Sequence, residues 1–334
     1  MTLEELDEAA CPAAPTGAKA DPRTHSVPRL EGPQSRGHRR VSVRRLRLRA
    51  AALGLARRGA PSSVNAFVQF TGFPRSGHSL IGAMLDAHPQ AAIAHELDAM
   101  GLFAKGVPPR AIAALCLDAA RAFRADGQWW NGLSYEMDAP PEGALRVVGD
   151  KKGDWTARWC AREPHLPERL ARAAVPWRTP YVLITRHPLD NVATMSLRQG
   201  RVYDRLRIEA EPGTFGDALR AAQGSGEIAA EASDAMIDDY EALCAATEAT
   251  MRRMPPADWH AARYEDVVAE PEAAMGALVG FLGLSADLDW LAACAGHVRV
   301  GGQSRDKLSW TPDQRARMDG IVRRYEILSG YRDA

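Results

Sequence analysis

After residue 65 the chain alternates short apolar runs with stretches whose apolar positions recur at helical spacing. The runs are Ala66 to Thr71, Ala91 to His95, Leu145 to Gly149, Tyr181 to Thr185 and Trp259 to Tyr264. Each is short enough for a buried strand, and each ends in a polar cluster. Strands alternating with amphipathic helices predict βαβ units around a mainly parallel sheet, an α/β fold with helices packed on the sheet. A further helix is expected from Pro271 to Phe281, with Gly283 just past its end as a stop. Ligands in such sheets sit at the carboxyl ends of the strands, so the residues directly after each run are the candidates for chemistry.

The first run leads into Gly72-Phe73-Pro74-Arg75-Ser76-Gly77-His78-Ser79-Leu80. A strand, a loop framed by two glycines and a helix start can bring successive N–H groups and a helix N-terminus onto one anion, as in the pattern G-x-x-x-x-G-K-[ST]. The lysine of that pattern is missing, because His78 follows Gly77. The strong cation is Arg75, inside the loop, and its planar fork suits a single phosphate or sulfate.

These residues, with Met84-Leu85-Asp86-Ala87-His88-Pro89 after them, resemble the 5′-phosphosulfate loop and first helix of the sulfotransferases that use 3′-phosphoadenosine 5′-phosphosulfate (PAPS), and within them the tyrosylprotein sulfotransferase branch. The resemblance implies a three-layer P-loop-type fold. It also implies that Gly72, Pro74, Arg75, Ser76, Gly77, His78 and Ser79 hold the donor's 5′-phosphate, with Arg75 also leaning on the group transferred. His78-Ser79 stands where the family usually carries Thr-Thr or Thr-Ser, so a hydroxyl contact is lost or replaced by an imidazole.

The later strand ends continue the likeness. His95-Glu96 places a carboxylate where transfer to a hydroxyl needs a proton acceptor, an effect worth about 10² to 10⁴-fold. The family's glutamate base falls at the interval of Glu96; its surrounding motif is not reproduced, so His95, Asp98 and His78 stay open as alternatives. Asp150-Lys151-Lys152 supplies two of the five lysines in a chain with thirty-seven arginines. A lysine here can offset charge on a leaving phosphate, and the resemblance favours Lys151 over Lys152. Arg186, followed by a helix opening at Pro188, stands with Thr194 eight residues on, where the family binds the donor's 3′-phosphate; Ser196 is a second choice. Tyr264 matches a nucleotide-contacting tyrosine, with a core role equally open. In Gly301-Gly302-Gln303-Ser304-Arg305-Asp306-Lys307, similar to a nucleotide-covering segment, Lys307 adds charge and Ser304 is a weaker candidate.

The 334 residues, 46% of them hydrophobic, suffice for one large domain with appendages. The resemblance implies a sulfotransferase domain over 61–334. Residues 1–60 read as a disordered or partly helical arm, crowded with arginine from Arg36 to Arg58 and open to either a surface contact or a plain tail. A formal net charge of zero argues against nucleic acid or anionic lipid as partner of the whole chain. Five cysteines without C-x-x-C pairing suggest neither a zinc site nor a disulfide framework; with no long apolar span and an acidic N-terminus, a cytoplasmic enzyme without metal is expected. The expected acceptor bears a hydroxyl and is a small molecule, a glycan or a peptide tyrosine. Residues 97–144, with Phe123, Trp129, Trp130 and Tyr135, and residues 199–240 are expected to shape its pocket. Two rival readings are a P-loop kinase or NTPase and a non-catalytic nucleotide-binding protein.

Overall fold

The computed structural model describes residues 62–130, 133–137, 144–200, 221, 230–298 and 303–332. The Arg-rich arm lies outside them, as do Gly301, Gly302 and parts of the two segments expected to shape an acceptor pocket.

In chain order the elements are β1 (Ala66–Gly72), α1 (His78–Asp86), β2 (Ala91–Ala94), α2 (Ala99–Ala104), α3 (Pro109–Ala125), β3 (Trp129–Trp130) and β4 (Leu133–Ser134). There follow β5 (Val147–Asp150), α4 (Gly153–Arg162), α5 (Leu166–Ala174), β6 (Tyr181–Thr185), α6 (Pro188–Gln199), β7 (Ala230–Glu231) and α7 (Asp234–Met251). The chain then runs through β8 (Trp259–Arg263), α8 (Tyr264–Ala269), α9 (Pro271–Phe281), α10 (Leu288–His297), β9 (Leu308–Ser309) and α11 (Pro312–Arg324). All five apolar runs are strands, Tyr181–Thr185 with the expected bounds and the other four with ends moved by one or two residues, and the helix expected over Pro271–Phe281 has those bounds. Gly283 past it takes φ 76°, the left-handed conformation of a helix stop.

The five strands pair in parallel in the order β2-β5-β1-β6-β8. Alternation along β1 decides the layers, because side chains two apart share a face. Phe67 packs with Met100, Ile112, Cys116, Leu166 and Leu170 from α2, α3 and α5. Val68 and Phe70 pack with Ile81, Met84, Met275, Leu278 and Trp290 from α1, α9 and α10. Helices thus cover both faces, which is why the strands read as continuous apolar runs. The chain leaves β1 toward β2 at one edge and later crosses to β6 and β8 on the other side. The strand order therefore reverses at β1, and the crevice beyond its carboxyl end lies between β5 and β6.

Candidate active site

The strand ends form a row. Along the sheet, the residues that follow β2, β5, β1, β6 and β8 are Glu96, Lys151, the 73–77 loop, Arg186 and Tyr264. With neighbouring strands about 4.8 Å apart, the row extends over roughly 19 Å.

The loop is held from within and from α6. The buried Ser76 hydroxyl donates to the Phe73 carbonyl at 3.0 Å, and Asn191 Nδ2 donates to the Pro74 carbonyl at 2.9 Å. Arg75, at φ 69°, is exposed at the tip. The first N–H groups of α1 have no intrahelical acceptor, which with the helix dipole makes this turn an anion cradle. Gly77 precedes α1 at φ 105°, and a Cβ there would stand 2.3 Å from Tyr264 Cδ2. Gly77→Ala is expected to lower stability by about 1–3 kcal/mol, read by denaturant unfolding. An unchanged midpoint would contradict this account of the loop.

His78 contributes packing. Its ring is buried edge-on to Phe70, with centroids 5.7 Å apart, and lies over Gly153, where a Cβ would meet Cε1 at 2.3 Å. Nε2 is 3.1 Å from the Thr71 carbonyl and so carries the proton. Burial, reinforced by the charge of Lys151, pushes the pKa down to about 3. A ring this enclosed and this weakly basic is poorly suited to take a proton, and its hydrogen bond goes to the sheet.

Glu96 lies between two lysines. Lys151 Nζ donates to Oε1 at 2.9 Å and to Ser79 Oγ at 2.8 Å, while Lys152 Nζ donates to Oε2 at 2.8 Å. The Lys151 stem runs against Gly82 in α1, where a Cβ would meet its Cβ at 3.1 Å. Burial pushes the Glu96 carboxyl up, but the charges and hydrogen bonds of both lysines outweigh it and hold the group far below the usual carboxylate range. Of the two neighbouring alternatives, His95 stacks on Phe123 at 4.3 Å and meets Trp130 at 4.6 Å. Asp98 accepts from Gly101 N at 3.2 Å and Trp159 Nε1 at 3.1 Å, capping α2; burial and the charge of Asp150 push it up to about 7.

At the end of β6, Arg186 Nη1 lies 3.4 Å from both the Arg75 carbonyl and Thr194 Oγ1, and Nη2 lies 3.4 Å from Ser304 Oγ. Its guanidinium sits 5.2 Å from the centre of the Tyr264 ring. Burial, and after it the charge of Arg186, lower the pKa of Lys307, with Asp190 and Asp306 acting the other way. Ser196 points elsewhere, its hydroxyl accepting Ser233 N at 3.1 Å.

Residues 68–288 match the family described as the sulfotransferase family. The chain belongs to that family. The matched span holds the Arg75 loop, Glu96, Lys151, Arg186 and Tyr264, while Lys307 falls beyond it. No curated protein sequence matches. The sulfotransferase of Alicyclobacillus acidocaldarius is 16% identical over 80% of this chain and 96% of that one, with a TM-score of 0.40. Sulfotransferase STF9 of Mycobacterium avium is 10% identical over 84% and 81%, TM-score 0.44. Mouse sulfotransferase SULT7A1, solved in complex with PAP, is 12% identical over 81% and 86%, TM-score 0.34. Likenesses this remote carry no argument about ligands.

Tyr135, expected at the acceptor pocket, hydrogen-bonds Ser79, and burial raises its pKa. Two other residues around this sulfotransferase's strand ends escaped the sequence reading. Arg305 N donates to Asp190 Oδ1 at 2.7 Å and its guanidinium reaches His187, fastening the 303–310 segment over the start of α6. Glu265 accepts His187 N at 2.8 Å and the Tyr331 hydroxyl at 2.7 Å. Among the described residues, no helix of the sulfotransferase is long and apolar enough to cross a membrane, and no cluster of His, Cys, Asp and Glu could hold a metal.

Proposed function

We propose that this sulfotransferase moves a sulfuryl group from PAPS to a hydroxyl acceptor by in-line transfer. The observation that carries the reading is Arg186 at the end of β6, its guanidinium 3.4 Å from the Arg75 carbonyl, Thr194 Oγ1 and Ser304 Oγ, one strand away from the Arg75 loop. A half-buried guanidinium beside a hydroxyl fits a phosphate, and the 3′-phosphate of PAPS is one that ATP lacks. In the kinase or NTPase reading, His78 would replace the lysine that grips the phosphates, and its ring is turned to the Thr71 carbonyl.

In this reading the loop N–H groups and Ser79 hold the 5′-phosphate, Arg186, Thr194 and Lys307 hold the 3′-phosphate, and Tyr264 backs the nucleotide. The donor supplies a sulfuryl group whose transfer leaves negative charge on a phosphate oxygen. Arg75 and Lys151 offset that charge as it grows, and most of the rate comes from such positioning and charge stabilisation. Glu96 takes the acceptor's proton as the new S–O bond forms. Its ion pairs make it a weak base in the free protein, but an anionic donor competes for Lys151 and returns Glu96 toward the ordinary carboxylate range. The acceptor's hydroxyl then enters on the side of β2 and β5, next to Trp130 and Tyr135. The tyrosylprotein sulfotransferase likeness of the loop makes a phenolic hydroxyl one candidate beside alcohols and glycans.

Incubation with sulfur-labelled PAPS, with water, simple alcohols and simple phenols as acceptors, tests the reading. Labelled product with stoichiometric 3′-phosphoadenosine 5′-phosphate is expected; donor left intact with every acceptor contradicts it. A second outcome follows from the ion pairs. Lys152→Met removes one positive charge from Glu96, so its pKa rises and the acid limb of the pH–rate profile moves to higher pH. An unmoved limb contradicts the role of Glu96.

A further inference from the structure

One buried carboxylate is used by none of these steps. Asp150 ends β5 and is 1% exposed, in a fold where an enclosed carboxylate is costly without compensating hydrogen bonds. Both its oxygens serve one neighbouring loop: Oδ1 accepts Leu97 N at 3.0 Å, and Oδ2 accepts Ala99 N at 2.8 Å. That loop has an unusual backbone. Glu96 and Asp98 both take left-handed conformations, at φ 64° and 65°, without a glycine between Ala94 and Ala99. Conformations of this kind persist where the surroundings over-determine them.

The same turn clasps the loop on three levels. Asp150 lies opposite Ala94 in the sheet register, and Lys151 N donates to the Ala94 carbonyl at 3.1 Å. The Asp150 carboxylate holds the main chain just past Glu96. Lys151 and Lys152, the next two residues, hold the Glu96 side chain. The left-handed turn at Glu96 is thereby tied to the end of β5, just before the two lysines.

We infer that Asp150 is a positioning residue for the sulfuryl-transfer site: its carboxylate fixes the left-handed turn at 96–98 and so sets the direction of the Glu96 side chain. The inference rests on the proposed role of Glu96 for its effect on rate, while the clasp itself stands apart from that role. An asparagine at 150 keeps the shape but offers one acceptor where two N–H groups need one each. A small misplacement of a catalytic group is enough to cost rate, roughly 10- to 100-fold.

The test combines hydrogen exchange with kinetics. In the unmodified protein, the Leu97 and Ala99 amides are expected to exchange as slowly as those of β5; exchange as fast as in an open loop overturns the clasp without any variant having to fold. Asp150→Asn is expected to speed exchange at 97–99 and to lower PAPS turnover, with water or a phenol as acceptor, while affinity for 3′-phosphoadenosine 5′-phosphate stays unchanged. In a Glu96→Gln background the same substitution is expected to add no further loss. A full additional loss there, or a parallel fall in nucleotide affinity, shows a merely structural role and overturns the inference. Full activity of Glu96→Gln alone would instead defeat the base assignment and leave the exchange result to decide the clasp.

Discussion

Changing Glu96 to Gln is expected to lower turnover by about 10²-fold or more while binding of 3′-phosphoadenosine 5′-phosphate stays nearly intact. The substitution keeps size and one acceptor oxygen but removes the capacity to take a proton. It also frees Lys151 and Lys152 from two ion pairs, at 2.9 and 2.8 Å, so their charge is at least as available to a nucleotide phosphate as before. Turnover is read as nucleotide release from PAPS and binding by calorimetry. Retention of full activity sinks the base assignment, and a joint loss of binding and turnover shows that Glu96 holds the lysines in place instead of accepting a proton.

Arg186→Ala should weaken binding of 3′-phosphoadenosine 5′-phosphate by about 10²-fold, or about 2.8 kcal/mol, and leave ADP affinity unchanged. The guanidinium is tied to the main chain of the phosphate loop and to Thr194 and Ser304 by contacts of 3.4 Å, long enough to shorten onto an anion. Half-burial between Tyr264 and the 303–307 segment keeps water from screening that anion fully. Equal losses for the two nucleotides would place Arg186 at the loop phosphate instead, and no loss would remove it from the site.

The sheet and the identity of its strand-end residues were legible because both are local. A run such as Tyr181–Thr185 shows burial on two faces by its composition, and the residue that leaves such a run lands on one rim of the sheet. The resemblance preferred Thr194 to Ser196, but the contact that separates them was not legible. Both lie on α6, and what separates them is Ser233, thirty-seven residues on, which takes the Ser196 hydroxyl. The reversal at Glu96 was hidden for a related reason: positive φ values are usually marked by glycine, and here the mark is a carboxylate fifty-three residues away from Leu97. The orientation of the His78 ring was not legible either: the space over Gly153 and the Thr71 carbonyl turn it to the sheet.

The central claim is that a 3′-phosphorylated adenine nucleotide binds across the Arg75 loop and the Arg186 cluster. Calorimetric titration of the full chain with 3′-phosphoadenosine 5′-phosphate, with ADP and with ATP and Mg²⁺ in parallel tests it most directly. Tight binding of the 3′-phosphorylated nucleotide alone is the predicted result. Preference for ATP with Mg²⁺, or binding of none of the three, would contradict it.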